Sequence, residues 1–166
     1  MQEAWLGFLI VLVVQFLLFI IHAHYEKKLP DVTRILGQGV LSGIVLGLLL
    51  DLIFGKFFGL FSYKLGFGVF FLILNAALLY GLFAANILLM QRTRLVNFCL
   101  WTIAVGAAFE TINLFFPMWT WKFAVPSIQF LIIFLAGNLG AAILVAVVWH
   151  LFFRHRFFFI DTLLKK

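Results

Sequence analysis

The chain has 166 residues, 66% of them hydrophobic and only 11% charged, with a mean hydropathy of +1.19 and a net charge of +6. So little polar surface cannot coat a water-soluble globule, and lipid is the expected solvent. The basic excess does not point to nucleic acid, because the Lys and Arg residues stand in short loops between apolar runs, where membrane topology accounts for them.

Five stretches reach or approach the roughly 20 apolar residues that cross a hydrocarbon core: residues 4–21, 35–53, 65–90, 95–116 and 126–153. The runs are continuously apolar and lack the alternation of a transmembrane β-barrel, so the fold class is all-α, a polytopic integral membrane protein with five transmembrane helices. No linker or charge block divides the chain, so a single transmembrane helical-bundle domain over residues 1–166 is expected. The first span follows Glu3 rather than a basic segment and has no Ala-x-Ala-like site after it, the pattern of a retained helix. Breaks fall at the polar residues 22–34, which include Pro30, at 91–94, and at Pro117.

Lys27, Lys28, Arg34, Arg92, Arg94, Arg154, Arg156, Lys165 and Lys166 share one side of this topology, and Lys56, Lys64 and Lys122 the other. That asymmetry puts the amino terminus outside and the carboxyl terminus in the cytoplasm; a bacterial or archaeal cell membrane is the expected location. Arg154 and Arg156 followed by the apolar residues 157–160 read as an interfacial anchor against anionic lipid.

In the second span Gly39, Gly43 and Gly47 recur every fourth residue, a stripe on which another helix can approach closely. Ala136, Gly137, Gly140 and Ala141 form a small-residue face on the fifth span, its candidate partner. Cys99 has no second cysteine to pair with and reads as a packing residue.

Asp51 and Glu110 are the only acidic residues inside the spans, where a charge costs about 2.5–3.5 kcal/mol on insertion scales, so they are the candidate catalytic residues. Each stands roughly 22–24 Å up an outward-running helix, in the outer half. After Asp51 comes Phe61-Ser62-Tyr63-Lys64, and after Glu110 comes Trp119-Thr120-Trp121-Lys122. Acid, short connection, aromatic, hydroxyl, aromatic, lysine: the recurrence reads as a parallel internal repeat of two helical hairpins after a lone first helix. Tyr63, Lys64, Asn113, Trp119, Trp121 and Lys122 are then the candidate substrate-binding residues, with Asn113 three residues after Glu110 and placed to orient its carboxylate.

Three chemistries remain open for this constellation. Two carboxyls sharing a low-dielectric site can hold a proton between them and act as a general acid on an alkene, with aromatic faces steadying the carbocation. They can instead bind an ion or polar head for transport, or pair with Lys64 and Lys122 simply to fix the loops. His22, His24 and His150 gather near one interface, but histidines in a basic interfacial region are ordinarily solvated, so no metal is assigned. Nucleotide, metalloprotease, hydrolase and dinucleotide motifs do not occur, so no cofactor is expected.

Through Asp51, Gly59, Phe61-Ser62-Tyr63 and Gly66 the chain resembles the lycopene cyclase domain family of small carotenoid-pathway membrane proteins, over roughly residues 45–125. The resemblance implies a short all-helical protein of repeated helical units that cyclises the ends of a linear C40 polyene without redox change. Asp51, Phe61 and Tyr63 carry the match, whereas Glu110 enters only through the internal repeat. The family's Pro-x-Glu-Glu stretch has no counterpart; the third span opens Gly66-Phe67-Gly68-Val69. The readings carried forward are a non-redox cyclase or isomerase of an isoprenoid-like lipophilic molecule, a lipid-binding scaffold or accessory subunit that assembles as a homo- or hetero-oligomer through its glycine stripe, and a small proton- or cation-coupled transporter.

Overall fold

A computed structural model describes residues 2–64, 68–125, 127–153 and 155–164. Leu65, Gly66 and Phe67 of the third expected span, Pro126, and the cations Arg154, Lys165 and Lys166 lie outside the described residues. Among the described residues five helices are long and apolar enough to cross a membrane: α1 Gln2–Tyr25, α2 Leu29–Phe57, α3 Val69–Arg92, α4 Leu95–Phe115 and α5 Ile128–Phe152. Each overlaps one of the five apolar runs. A short α6, Phe158–Leu164, follows.

The helices are lined up by what each can bury. In α1 the buried residues Ala4, Gly7, Phe8, Val11, Gln15, Phe19 and Ala23 recur every three or four positions, while Leu6, Leu9, Val13 and Leu17 face outward. Helix α3 is the axis of the bundle: two thirds (67%) of its most apolar window is buried, against 22% to 33% in the other four. Helices α1, α2 and α5 pack on α3, and α4 closes the ring between α1 and α5. One apolar cluster joins Phe19, Ile35, Leu88, Phe98 and Trp149 at one end of the bundle, and a second joins Phe8, Val11, Phe71 and Met118 at the other.

The glycine stripe of α2 meets α3, not α5. A Cβ at Gly39 would lie 2.6 Å from the carbonyl oxygen of Gly81, and one at Gly43 would fall on the Gly81 backbone nitrogen. The small face of α5 has another use, because nothing lies within 4 Å of a Cβ built at Gly137 or Gly140. What binds α5 in place is Ser42 on α2, whose hydroxyl accepts a 2.6 Å hydrogen bond from the Trp149 indole, and Asn138, whose amide packs over Gly106 of α4.

A two-stranded antiparallel ribbon, β1 Phe61–Tyr63 and β2 Trp119–Trp121, adds strand to a fold expected to be all-α. Its register sets Phe61 opposite Trp121 and Tyr63 opposite Trp119, with a 2.9 Å hydrogen bond between the Ser62 and Thr120 hydroxyls. The same bonds close both ends: Lys64 N–H donates to Met118 O, and Lys122 N–H to Leu60 O. Gly59, at φ +59°, supplies the left-handed turn that leads from α2 into β1.

The tail does not form the expected surface anchor. Phe157, Phe159 and Ile160 are buried against Phe98 and the end of α3, leaving Phe158 exposed. His155 fastens the segment, its Nδ1 2.8 Å from the amide nitrogen of Gln91 and its ring 5.1 Å from that of Trp149. Burial first, then the charges of Arg34 and Lys28, hold the His155 imidazole below its ordinary value of 6.5. His150, whose Nε2 lies 3.8 Å from Asp161, is the other titratable neighbour. A depressed imidazole stabilises docking above pH 6.5 and withdraws that contribution as pH falls below it. Protection factors of the α6 amides, taken relative to the intrinsic exchange rate at each pH, are therefore expected to fall between pH 7.5 and 5.5 in the native protein but not in His155→Gln; an equal fall in both would dismiss His155 as the cause.

Candidate functional site

Two stretches of wide helix aim the first acid. From Asp51 to Phe57 the end of α2 is π-helical, with Phe58 N–H reaching Ile53 O at 2.9 Å, and α3 has a second π-helical stretch over Ala76–Tyr80. Such turns swing side chains off the regular helical path. Here they bring Asp51 and Tyr80 together across the glycine stripe, where Gly47 admits the Tyr80 ring at 2.6 Å from its Cβ position. Asp51 is wholly buried: Oδ1 accepts from the Tyr63 hydroxyl at 2.8 Å and the Tyr80 hydroxyl at 2.9 Å, and Oδ2 from the Asn75 amide at 2.9 Å. Asn75 also donates to the Tyr63 oxygen, again at 2.9 Å. Burial, then the neighbouring Tyr80 and Asp51, push the Tyr63 phenol well above its ordinary value, which keeps it an O–H donor.

The second acid is held by indoles. Glu110 on α4 accepts from Trp119 Nε1 at 3.3 Å and from Trp121 Nε1 at 3.0 Å, one nitrogen to each carboxyl oxygen. Because strand side chains alternate, Trp119 and Trp121 project to the same face of the ribbon. Asn113 fixes that strand: its Oδ1 accepts from the Met118 and Trp119 amides at 2.8 and 3.0 Å, and its amide donates to Trp119 O. Asn113 therefore acts on the backbone that carries the indole and makes no bond to Glu110.

Between the two apolar clusters lies a cavity of about 530 Å³, within the usual range for small-molecule sites. Glu110 lines it, with Trp119 and Trp121. Asp51 does not, but Tyr63, Asn75 and Tyr80, the three residues that donate to it, all do. Tyr63 and Trp119 sit edge to face with centroids 6.5 Å apart, so an aromatic contact joins the two acid clusters. The rest of the wall is apolar and aromatic, with Phe54, Phe61, Phe83, Phe109 and Phe134 prominent. Along α5 the wall includes Ala136, Gly137 and Gly140, all exposed, and nothing lies within 4 Å of a Cβ built at either glycine.

Of the residues picked out from sequence, the structure thus gathers Asp51, Glu110, Tyr63, Trp119 and Trp121 about one space. Lys64 and Lys122 are exposed at the ribbon ends and stand outside it; among the described residues neither forms an ion pair with an acid. Gly39, Gly43 and Gly47 serve internal packing. His22 bonds Asn86, and His150 accepts from Phe157 N–H. Sequence reasoning did not single out Gln15, Asn75 or Tyr80 as site residues; their signal was a polar group within an otherwise apolar run. The chain matches no protein-family model, no curated protein and no solved structure.

Proposed function

We propose that the chain crosses a cell membrane five times, amino terminus outside, and binds an isoprenoid-like lipophilic molecule in this cavity for a non-redox cyclisation or isomerisation. Membrane residence is supported by the outward apolar side chains of the five long helices, such as Leu6, Val13, Leu41, Val96, Leu100 and Ile132. Orientation is supported by the distribution of Lys and Arg. The matching register of the ribbon, with equivalent bonds at both ends, supports descent of the two hairpins from a repeat.

The observation that carries the chemistry is Glu110, a carboxyl at the wall of an aromatic chamber with both oxygens oriented by indole N–H groups. In the proposed step Glu110 gives its proton to one carbon of an alkene, leaving a carbocation that the ring faces stabilise. A neighbouring double bond closes on the cation, or the cation simply rearranges. Loss of a proton from an adjacent carbon to the Glu110 carboxylate restores the acid, and the product is an isomer of the substrate. Asp51 holds Tyr63 and Tyr80 in place at the wall and is a positioning residue.

With the protein in phospholipid vesicles made in deuterated water, a linear isoprenoid polyene is expected to yield an isomer carrying one deuterium. Glu110→Gln is expected to lower that conversion at least 100-fold; undiminished conversion, or a product without deuterium, would remove Glu110 from the mechanism. A scaffold acting through the glycine stripe loses its surface, since Gly39, Gly43 and Gly47 are buried against α3.

A further inference from the structure

Among the described residues that line the cavity, Glu110 alone can carry a charge at neutral pH, and no Lys, Arg or His joins it there. The Trp119 and Trp121 indoles orient its two oxygens, but as neutral groups they bring no counter-charge. Neither ion pair among the described residues includes it. A carboxylate in so apolar a setting is stabilised by a partner of opposite sign, and these residues supply none. The wall restricts what that partner can be. Its hydrogen-bond donors are engaged inside the protein: the Tyr63 and Tyr80 hydroxyls and the Asn75 amide on Asp51, the indoles on Glu110, and the Asn138 amide on Phe134 O. The Asn75 and Gln15 carbonyl oxygens are sealed in the packing. An anionic ligand therefore meets neither cation nor donor. A metal ion needs a ring of oxygen or nitrogen ligands, and among the described residues no cluster of His, Cys, Asp and Glu provides one. What remains around Glu110 is aromatic: Phe61, Tyr63, Phe109, Trp119, Trp121 and Phe134 line the same space. Aromatic faces attract cations, and a cation whose charge is spread over alkyl groups loses its water most cheaply on entering such a site.

We infer that the cavity takes a lipophilic organic cation, an alkylammonium amphiphile whose charged head sits against the Glu110 carboxylate among these rings and whose chain fills the remaining apolar space. The volume suits it: at interior packing density about 530 Å³ admits on the order of 20 non-hydrogen atoms, a substituted ammonium head and a chain of about a dozen carbons. The inference goes beyond the proposed function, for it uses the same cavity and acid but with Glu110 ionised, whereas the alkene step uses the protonated acid.

The test is a binding measurement that needs no turnover. The full chain in nanodiscs of choline-free zwitterionic phospholipid is equilibrated with radiolabelled dodecyltrimethylammonium and, separately, with the neutral isostere in which carbon replaces the nitrogen. Retention is taken relative to empty nanodiscs of the same lipid. The two probes share a shape and differ in charge, and neither has a hydrogen to donate. The cation is expected to bind at least tenfold more tightly than the isostere. Glu110→Gln is expected to weaken cation binding at least tenfold while binding of the isostere, which reports an intact cavity, persists. Glu110→Asp keeps the charge and is expected to retain the preference for the cation. Equal binding of the two probes by the native protein, binding of neither, or a cation preference that survives in Glu110→Gln would overturn the inference. Should Glu110→Gln lose both probes through collapse of the cavity, Glu110→Asp decides: a cation preference retained there sustains the inference, and one absent there overturns it. Failure of deuterium transfer with the cation preference intact would count against the alkene step alone, and deuterium transfer without a cation preference against this inference alone.

Discussion

Gly43→Leu is expected to leave little or no folded protein. The obstacle is the first side-chain atom, not the length of the side chain: a Cβ at this position lands on the Gly81 backbone nitrogen and lies 2.5 Å from Ala76 O. No rotamer relieves a clash made by Cβ with backbone, so α2 and α3 must separate. Overpacking a core with flexible neighbours costs about 1–3 kcal/mol, and here rigid backbone faces the intruder, so the cost exceeds that range. Separation also pulls Asp51 from Tyr80, since the glycine stripe is what lets the two meet. Gly37 on the same helix is the control, with nothing within 4 Å of its Cβ position; alanine there is expected to be neutral or to stabilise by up to about 1 kcal/mol. Thermal melts of the purified variants decide the matter: a Gly43→Leu protein melting with the native one would show that α2 and α3 do not pack as described.

Asp51→Leu is expected to be nearly as damaging, for a chemical reason. The substitution leaves the Tyr63 and Tyr80 hydroxyls and the Asn75 amide without their acceptor in an apolar interior, each unmet donor costing about 1–3 kcal/mol. Asp51→Asn keeps one oxygen for the two phenols but turns an N–H₂ toward the Asn75 amide, so its stability should fall between native and leucine. Removing one orphaned donor as well, in Asp51→Leu with Tyr80→Phe, should recover part of the loss, because the Tyr80 hydroxyl donates to Asp51 and the penalty belongs to unpaired groups and not to the missing charge. Melting temperatures in the order native, Asn, Leu, with partial recovery in the double variant, are the expected result. A leucine variant as stable as the native chain would show that the network holds nothing together.

The helices were legible because each apolar run is long enough to be read without knowledge of its neighbours, and Pro30, Pro117 and residues 91–94 mark the breaks plainly. The acids and the two aromatic–hydroxyl–aromatic triplets were legible too, although only as a pattern of residues. That Phe61-Ser62-Tyr63 and Trp119-Thr120-Trp121 are strands follows from their alternation, a period of two, which the surrounding helical context masked. The π-helical stretches at Asp51–Phe57 and Ala76–Tyr80 left no sequence trace, because a hydrogen bond to the fifth preceding carbonyl is chosen by tertiary packing. Small residues proved ambiguous for a physical reason: glycine admits a neighbouring helix and empty space equally well, so the stripe on α2 and the face on α5 look alike in sequence but have opposite uses. The residues 157–160 were misjudged because aromatics suit an interface and a core equally. Gln15 shows the limit most clearly, since only coordinates reveal that its Oε1 is buried without a hydrogen-bond partner.

Gly137 and Gly140 give the chamber a wall of bare helix backbone, with nothing within 4 Å of either Cβ position, while the ribbon rings line its other end. On the proposed membrane reading the chamber stands among acyl chains, so guest molecules arrive by two-dimensional diffusion within a leaflet and never cross water. Site occupancy then follows the mole fraction of guest per lipid: diluting a vesicle suspension tenfold with buffer changes nothing, whereas adding empty vesicles depletes the site.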